Sequence, residues 1–390
     1  MKNPVNFFDA ELINGEWWFS NLSFNALMKM NSESGETEMI STFEGLSPDE
    51  ENLHIKTIRY DNLLIFIPYK SNRIHIWDIE KNCFLKSIVI DRKPTGYFIN
   101  AFKDDNDIIW IIPNKLSDPV ILFDVKKMAV SAFDGIKELS YSGNADDTVI
   151  WADYKNNNLY IQVQRKNICF SVDCNSGKTE KIIFPDNFLG LPFSVYDNKL
   201  YLSLFGTSDI FEYDTRTKSY ERYEINNELK RGTIFYSNII KVENKLVITP
   251  CHSDDVIIYD TEKREYQKLT FPEGFKRTSV YNICGFYKMS ENEIIVFPAR
   301  CNQLIKINTD DFSLSAMPFV LSDSLIKHSA DMTESLFEKK YHSGMSEDFA
   351  YKETMDMFID KLVSEETNDK KSDDENAGEK IHNYIVSLFE

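Results

Sequence analysis

Seven times along the chain an apolar strand segment ends in Asp or Asn and runs directly into a polar turn. The anchors are Asn31 in LMKMN, Asp78 in IHIWD, Asp124 in VILFD, Asp173 in CFSVD, Asp214 in IFEYD, Asp260 in VIIYD and Asn308 in LIKIN. Their spacings are 47, 46, 49, 41, 46 and 48 residues, the length that four short strands and their turns need in one blade of a β-propeller. The reading is an all-β, seven-bladed β-propeller over residues 1–322, with the repeats in 6–320. Propellers host binding modules and enzymes alike, so the fold leaves function open.

The second repeat shows how a blade is assembled. LHIKTIRY (53–60) reads as strand A, Asp61-Asn62 as the turn, LLIFIPY (63–69) as B, RIHIWD (73–78) as C and CFLKSIVI (83–90) as D. Each segment carries a period-two strand signal, is rich in Ile, Phe, Leu and Tyr, and is bounded by turn formers. The A–B turns recur as Asn14-Gly15, Asp61-Asn62, Asp105-Asn106, Asn156-Asn157, Asp197-Asn198, Glu243-Asn244 and Glu291-Asn292, mostly residues that accept left-handed backbone. The seven Asp/Asn anchors could be acids or metal ligands. Repetition in every blade favours a structural role, since a side-chain oxygen at the start of a turn accepts a hydrogen bond from the amide two residues on.

The period changes after the last repeat. A helical extension is expected over 323–363, where Tyr351, Met355, Phe358, Ile359 and Leu362 fall at helical spacing. A disordered acidic linker follows at 364–378, then a C-terminal amphipathic docking helix at 379–390 with Ile381, Tyr384, Ile385, Leu388 and Phe389 on one face. So short a helix must dock to persist, and a protein partner is its expected contact.

Charge removes several classes of partner. A net charge of −18 repels a phosphate backbone, so nucleic acid is not expected. No run of 18 apolar residues and no apolar leader segment occurs, so the expectation is no membrane insertion and a cytoplasmic location. The six cysteines show no paired framework, as in a reducing compartment. Phosphate-loop, HExxH, CxxC and GxSxG motifs are missing, so no cofactor, metal or catalytic residue is assigned. Cys251-His252 would need a loop conformation to bind a metal, because adjacent strand residues point to opposite faces.

Sorting charge by face is more informative. In a meandering blade the A–B and C–D turns share one face, and this face is acidic: Asp104, Asp105, Asp107, Glu291, Glu293, Glu33, Glu36, Asp310 and Asp311. The opposite face gathers bases, with Lys70, His252 and Arg300 in B–C loops and His54, Lys56, Arg92, Lys93, Arg231 and Arg277 where D–A connections reach the innermost strand. Three of those connections resemble one another: RKPTGYFIN (92–100), KRGTIFYSN (230–238) and KRTSVYN (276–282). They place Tyr97, Asn100, Tyr236, Asn238, Tyr281 and Asn282 below a basic collar. Arg there offers bidentate bonds to carboxylate or phosphate, and Tyr and Asn address hydroxyl or peptide groups. Acidic residues in the same connections, such as Asp91 and Glu228, could instead neutralise the collar. Trp17 and Trp18 either supply a stacking surface or pack between blades.

The pattern of FIPYKSNRIHIWD, repeated in VFPARCNQLIKIN and in ITPCHSDDVIIYD, resembles bacterial kelch-type and WD40-like propellers, and Trp77-Asp78 is a literal WD pair. The Gly-His dipeptide of WD40 repeats and the paired glycines of kelch repeats are missing, so neither family's ligand residues transfer. The opening FFDAELINGEWWFSNLSFNALMKMN and the closing GEKIHNYIVSLFE are similar to uncharacterised propellers of Gram-positive bacteria associated with polysaccharide-biosynthesis proteins. That resemblance implies a setting in cell-surface carbohydrate metabolism and no reaction.

The expectation is a non-catalytic binding or scaffold propeller, recognising an anionic sugar derivative or a partner protein at the basic mouth of the channel. The alternative is a hydrolase or lyase acting on acidic saccharides, with His54, His252, Tyr97 or Tyr281 moving protons beside Arg231 or Arg277.

Overall fold

A computed structural model describes residues 5–92, 94–136, 148–164, 166–185, 190–229, 234–251, 253–273, 275, 283–298 and 303–342. The helical stripe expected at 351–362, the linker at 364–378 and the helix at 379–390 lie outside the described residues. Two compact units divide the chain, Asn3–Met332 and Thr333–Glu390 with Met1–Lys2. The first is the propeller; of the second, the backbone of 333–342 is helical. No helix among the described residues is long and apolar enough to cross a membrane.

Seven antiparallel meanders form the blades, each with strands in the order A-B-C-D. The A strands are Glu11–Ile13, His54–Tyr60, Phe98–Lys103, Val149–Lys155, Gly190–Tyr196, Tyr236–Val242 and Ile283–Lys288. All seven anchors end a C strand: Leu27–Asn31, Arg73–Asp78, Val120–Asp124, Ile168–Asp173, Ile210–Asp214, Val256–Asp260 and Gln303–Asn308.

The anchors act as turn acceptors. Asn31 Oδ1 takes the amides of Glu33 and Ser34 at 2.9 and 2.8 Å, and Asp260 Oδ1 those of Glu262 and Lys263, both at 3.0 Å. Four residues past every anchor the backbone turns left-handed, at Gly35, Asn82, Met128, Gly177, Lys218, Arg264 and Phe312, with φ between 50° and 74°. The amide just after each anchor donates across to the A–B turn of its own blade, as in Ser32 to Gly15 O (2.8 Å), Cys174 to Asn157 O (2.9 Å) and Thr261 to Asn244 O (2.8 Å). The anchor thus holds both turns of its blade on one face.

Apolar clusters fill the junctions between blades. Ile65, Ile67 and Ile76 of blade 2 meet Phe98, Ile109 and Ile111 of blade 3, and Trp17 and Phe19 of blade 1 meet Ile295 and Phe297 of blade 7. The B strands serve two junctions at once, so LLIFIP, IIWIIP and EIIVFP are buried from their second residue onward. They read as continuous apolar runs, as strands covered on both faces do, and the period-two expectation does not hold for them. Alternation survives at the outer edge, in D strands such as Tyr220–Tyr223. Trp17 and Trp18 both pack between blades, toward blades 7 and 2 respectively.

The ring closes with a device that the repeats do not announce. After blade 7, Val320–Leu321 returns to blade 1 and adds a fifth strand, parallel to its D strand Glu36–Ser41, with Val320 opposite Glu36. The Val320 amide donates to Gly35 O at 2.9 Å. Gly35 is needed there, since φ is 74° and a side chain would collide with the Pro318 carbonyl. Ser322 then caps helix α1 (Asp323–His342), its Oγ accepting the Leu325 amide at 3.2 Å. Leu325 joins the apolar cluster of blades 1 and 7.

Two predictions follow from these contacts. Asn31→Ala removes both turn acceptor bonds and is expected to lower unfolding free energy by ~1 kcal/mol in urea titrations, whereas Asn31→Asp retains it. Equal stability of Asn31→Ala and the native chain would show that these bonds do not hold the turn. Truncation after Pro318, which removes the closing strand and Leu325, is expected to lower the melting temperature well beyond ~4 °C; an unchanged value would show that the ring closes without it.

Candidate functional site

The axial channel holds a cavity of about 390 Å³ lined by residues of the A strands together with Phe8 and Asp9 from the segment leading into blade 1. Strand A therefore lines the channel, and one level of it has a repeated construction. In six blades a β-bulge interrupts A where it meets the end of B, and five of them share one construction around the cavity. Just past the bulge stand Lys56 opposite Ile67, Asn100 opposite Ile112, Trp151 opposite Gln162, Asn238 opposite Thr249 and Gly285 opposite Phe297. A bulge re-aims the residues that follow it. All five line the cavity, and Asp9 completes the level from blade 1. Blade 7 contributes glycine because a Cβ there would sit 2.5 Å from Phe8 O.

Side chains at this level tie neighbouring blades together. Asp9 accepts from Lys56 Nζ at 2.9 Å and from the Thr57 amide at 3.0 Å. Asp153, half-buried at the channel wall, accepts the amides of Tyr154 and Val195 at 2.8 and 2.7 Å. Asn100 Nδ2 donates to Ala152 O at 3.4 Å, and the Tyr196 hydroxyl accepts the Lys241 amide at 2.8 Å.

Electrostatics at the site are balanced. Burial disfavours the charge on Lys56, but Asp9, with Glu11 and Asp153, outweighs it and raises the pKa of the amine. Burial pushes the Asp153 carboxyl up to about 6, against its two amide donors and the pull of Lys155 and Lys56. Glu11, half-buried and repelled by Asp9, rises to about 7. Lys56 is thus a protonated group with three donors, one of which is given to Asp9.

The residues expected from sequence separate into groups. Lys56, Asn100 and Asn238 come together in the channel. Tyr97 stands at the B–C face, its ring 5.0 Å from Tyr69, which lies 5.2 Å from Phe8. Lys70 is exposed with Nζ 6.0 Å from the Tyr69 ring, and Arg92 is exposed, 3.9 Å from Asp134. His54 and Tyr236 are instead buried in the blade walls: each precedes its bulge, which turns it away from the channel. Tyr236 donates its hydroxyl to Ser208 O at 2.8 Å. Lys93, Arg231, His252, Arg277, Tyr281, Asn282 and Arg300 lie outside the described residues. On the opposite face, Asp104 is a buried acceptor for Trp110 Nε1 at 2.9 Å and not a solvated acid.

Asp9, Trp151 and Asp153 were not singled out from sequence, although a signal exists. Counting five residues back from the first A–B turn residue gives Asp9, Lys56, Asn100, Trp151 and Asn238. In blade 7 the longer turn makes the count miss Gly285 by one.

No family model and no curated protein matches the chain. Solved structures do. A streptogramin B lyase is similar over 81% of this chain and 95% of its own, with a TM-score of 0.59 at 16% identity. YCF48 bound to D1 peptide is similar over 80% and 94%, with a TM-score of 0.59 at 11% identity. The WD40 repeats of RRP9 match over 77% and 89%, with a TM-score of 0.54 at 10% identity. The likeness is one of fold, shared by a lyase and by a propeller bound to a peptide.

The Lys56–Asp9 pair gives a direct test of this level. Lys56→Met leaves the Asp9 carboxylate, 9% exposed, facing the Thr57 amide alone, and is expected to cost ~2 kcal/mol in urea unfolding. Adding Asp9→Asn should recover a good part of that loss. Equal stability of the single variant and the native chain would show that the pair does not hold blades 1 and 2.

Proposed function

We propose that the protein is a non-catalytic binding propeller that takes a polar ligand, a saccharide derivative with an anionic group, into its axial channel from the B–C face. The observation that carries this reading is the repeated post-bulge level, which sets donors (Lys56, Asn100, Asn238), an acceptor (Asp9) and an aromatic ring (Trp151) around one cavity. Donors together with an acceptor match hydroxyl groups, and the cavity lies within the ~300–1,000 Å³ of small-molecule sites. Phe8, Tyr69 and Tyr97 extend an aromatic surface to the mouth, where sugar ring faces stack. The described channel residues balance Lys56 and Lys155 against Asp9 and Asp153, so the reading gives the negative group to the basic pairs of the D–A connections, Arg92-Lys93, Lys230-Arg231 and Lys276-Arg277. The apolar stripe at 381–389 supplies a second contact, for a protein partner.

One observation favours an enzymatic reading, a lyase or hydrolase on acidic saccharides: the Asp153 carboxyl, raised to about 6, titrates where a general acid–base must. Its two amide donors hold it in a fixed place, and no base–nucleophile pair stands with it among the described residues. Mass analysis of a bound saccharide after long incubation separates the readings, since turnover would replace the binding account.

The test is a thermal-shift panel of uronic-acid oligosaccharides and their neutral counterparts. Acidic members are expected to raise the melting temperature. The double variant Arg231→Glu/Arg277→Glu should weaken binding about tenfold or more, and Lys263→Glu, beside Asp260 on the other face, should leave it unchanged. A panel without a single shift, or equal losses from both variants, contradicts the proposal.

A further inference from the structure

Between blades 1 and 2 a hydrogen-bonded chain of side chains is sealed from solvent. The Glu44 carbonyl can only accept, so His75 Nε2, 3.0 Å away, carries a proton. His75 Nδ1 then accepts from His54 Nε2–H at 2.9 Å, and His54 Nδ1 accepts from the Ser20 hydroxyl at 2.7 Å. One proton arrangement satisfies all three bonds with both imidazoles neutral. Phe43 packs on both rings, its centroid 4.3 Å from His54 and 5.2 Å from His75, with Phe66 and Phe84 beyond. His54 is 2% exposed and His75 0%.

A further proton has a place but no compensation. His54 Nδ1 could take it if the Ser20 hydroxyl reversed, yet the positive charge would then be buried with no facing carboxylate among the described residues. The titratable and charged groups that face the pair are the imidazoles themselves and Arg73, whose like charge acts on His75; Glu44 presents its backbone carbonyl. Burial holds both imidazoles below their ordinary range, helped by the charge of His75 at His54 and by that of Arg73 at His75, which is lowered to about 4. Burying an uncompensated charge is costly enough that the junction opens instead.

The chain is joined to the channel by two residues of backbone. The bulge that aims Lys56 lies between His54 and Lys56, and Ile55 and Lys56 both line the cavity. We propose that the His54–His75 chain is an acid-sensitive latch: protonation opens the junction of blades 1 and 2, shifts the bulge and releases the Lys56–Asp9 contact, so that the channel loses its ligand-binding form in acid. The inference rests on the channel being the binding site, but its mechanical part needs no ligand to test. The sign follows from linkage: the neutral pair contributes fully above pH ~6.5, and that contribution falls as pH drops toward the lowered folded-state values.

Hydrogen exchange of the full chain from pH 7.0 to 5.5, corrected for intrinsic rates, tests the latch. Protection at 17–20, 54–57 and 63–68 is expected to fall by about tenfold per proton bound on opening and per pH unit below ~6.5. The Thr57 amide, held by Asp9, should follow the same course, and 236–242 in blade 6 should stay protected. In His75→Gln, or in His54→Gln if the first folds poorly, the fall should be reduced while blade 6 protection at pH 7.0 matches the native chain. Unchanged protection in acid, an equal fall in both variants, or a junction that opens with Thr57 still protected would overturn the proposal. Because no ligand is present, that failure is distinct from failure of the saccharide panel, which concerns the site alone.

Discussion

The structure depends first on a turn. An Asp or Asn at the end of each C strand accepts the amides of the next few residues, and the amide beside it reaches the A–B turn of the same blade. Each bond of this kind is worth only about 1 kcal/mol. Repeated seven times it fixes the register of every C–D hairpin, and register decides which side chains enter the junctions between blades. The left-handed position four residues on falls at Met128, Lys218, Arg264 and Phe312 as well as at Gly and Asn. A side chain there is disfavoured by about 1–2 kcal/mol, so it is the tertiary pairing of the turns that imposes this geometry.

From that frame the channel follows. B strands are mostly apolar because both of their faces are covered, and the polar groups of the channel come from the A strands. The bulge near the start of A aims Lys56, Asn100 and Asn238 at the axis, and carboxylates close to that level satisfy amides along the open inner edge. Asp9 does this for Thr57 and Asp153 for Val195. An edge strand left unpaired is a liability, and here the groups that protect it are also the groups a ligand would meet.

The fold was legible because its cause is local: Asx turns, Asn-Gly-type hairpins and a constant period are all written within a few residues of each anchor. The site was legible only in part. Lys56 was found as a base at the entry to an innermost strand, and Asn100 and Asn238 through similar basic approach segments, but His54 and Tyr236, two residues before Lys56 and Asn238 in the same strands, were placed in the channel and stand in the walls. Alternation along a strand would have kept each pair on one side; the bulge breaks it, and no residue type announces a bulge. The closing strand Val320–Leu321 escaped notice for a related reason. Its two residues carry no repeat signal, and its partner, Gly35, is nearly three hundred residues away.

The central claim is that ligand is held on the axis by the post-bulge level. Hydrogen exchange in the presence of a saturating uronic-acid oligosaccharide locates the site directly. The account predicts added protection confined to the A strands, at 54–57, 98–102, 150–155 and 236–239, with none in the C–D turns or D strands. Protection gained on the C–D face or along the outer strands, with the A strands unchanged, would contradict it.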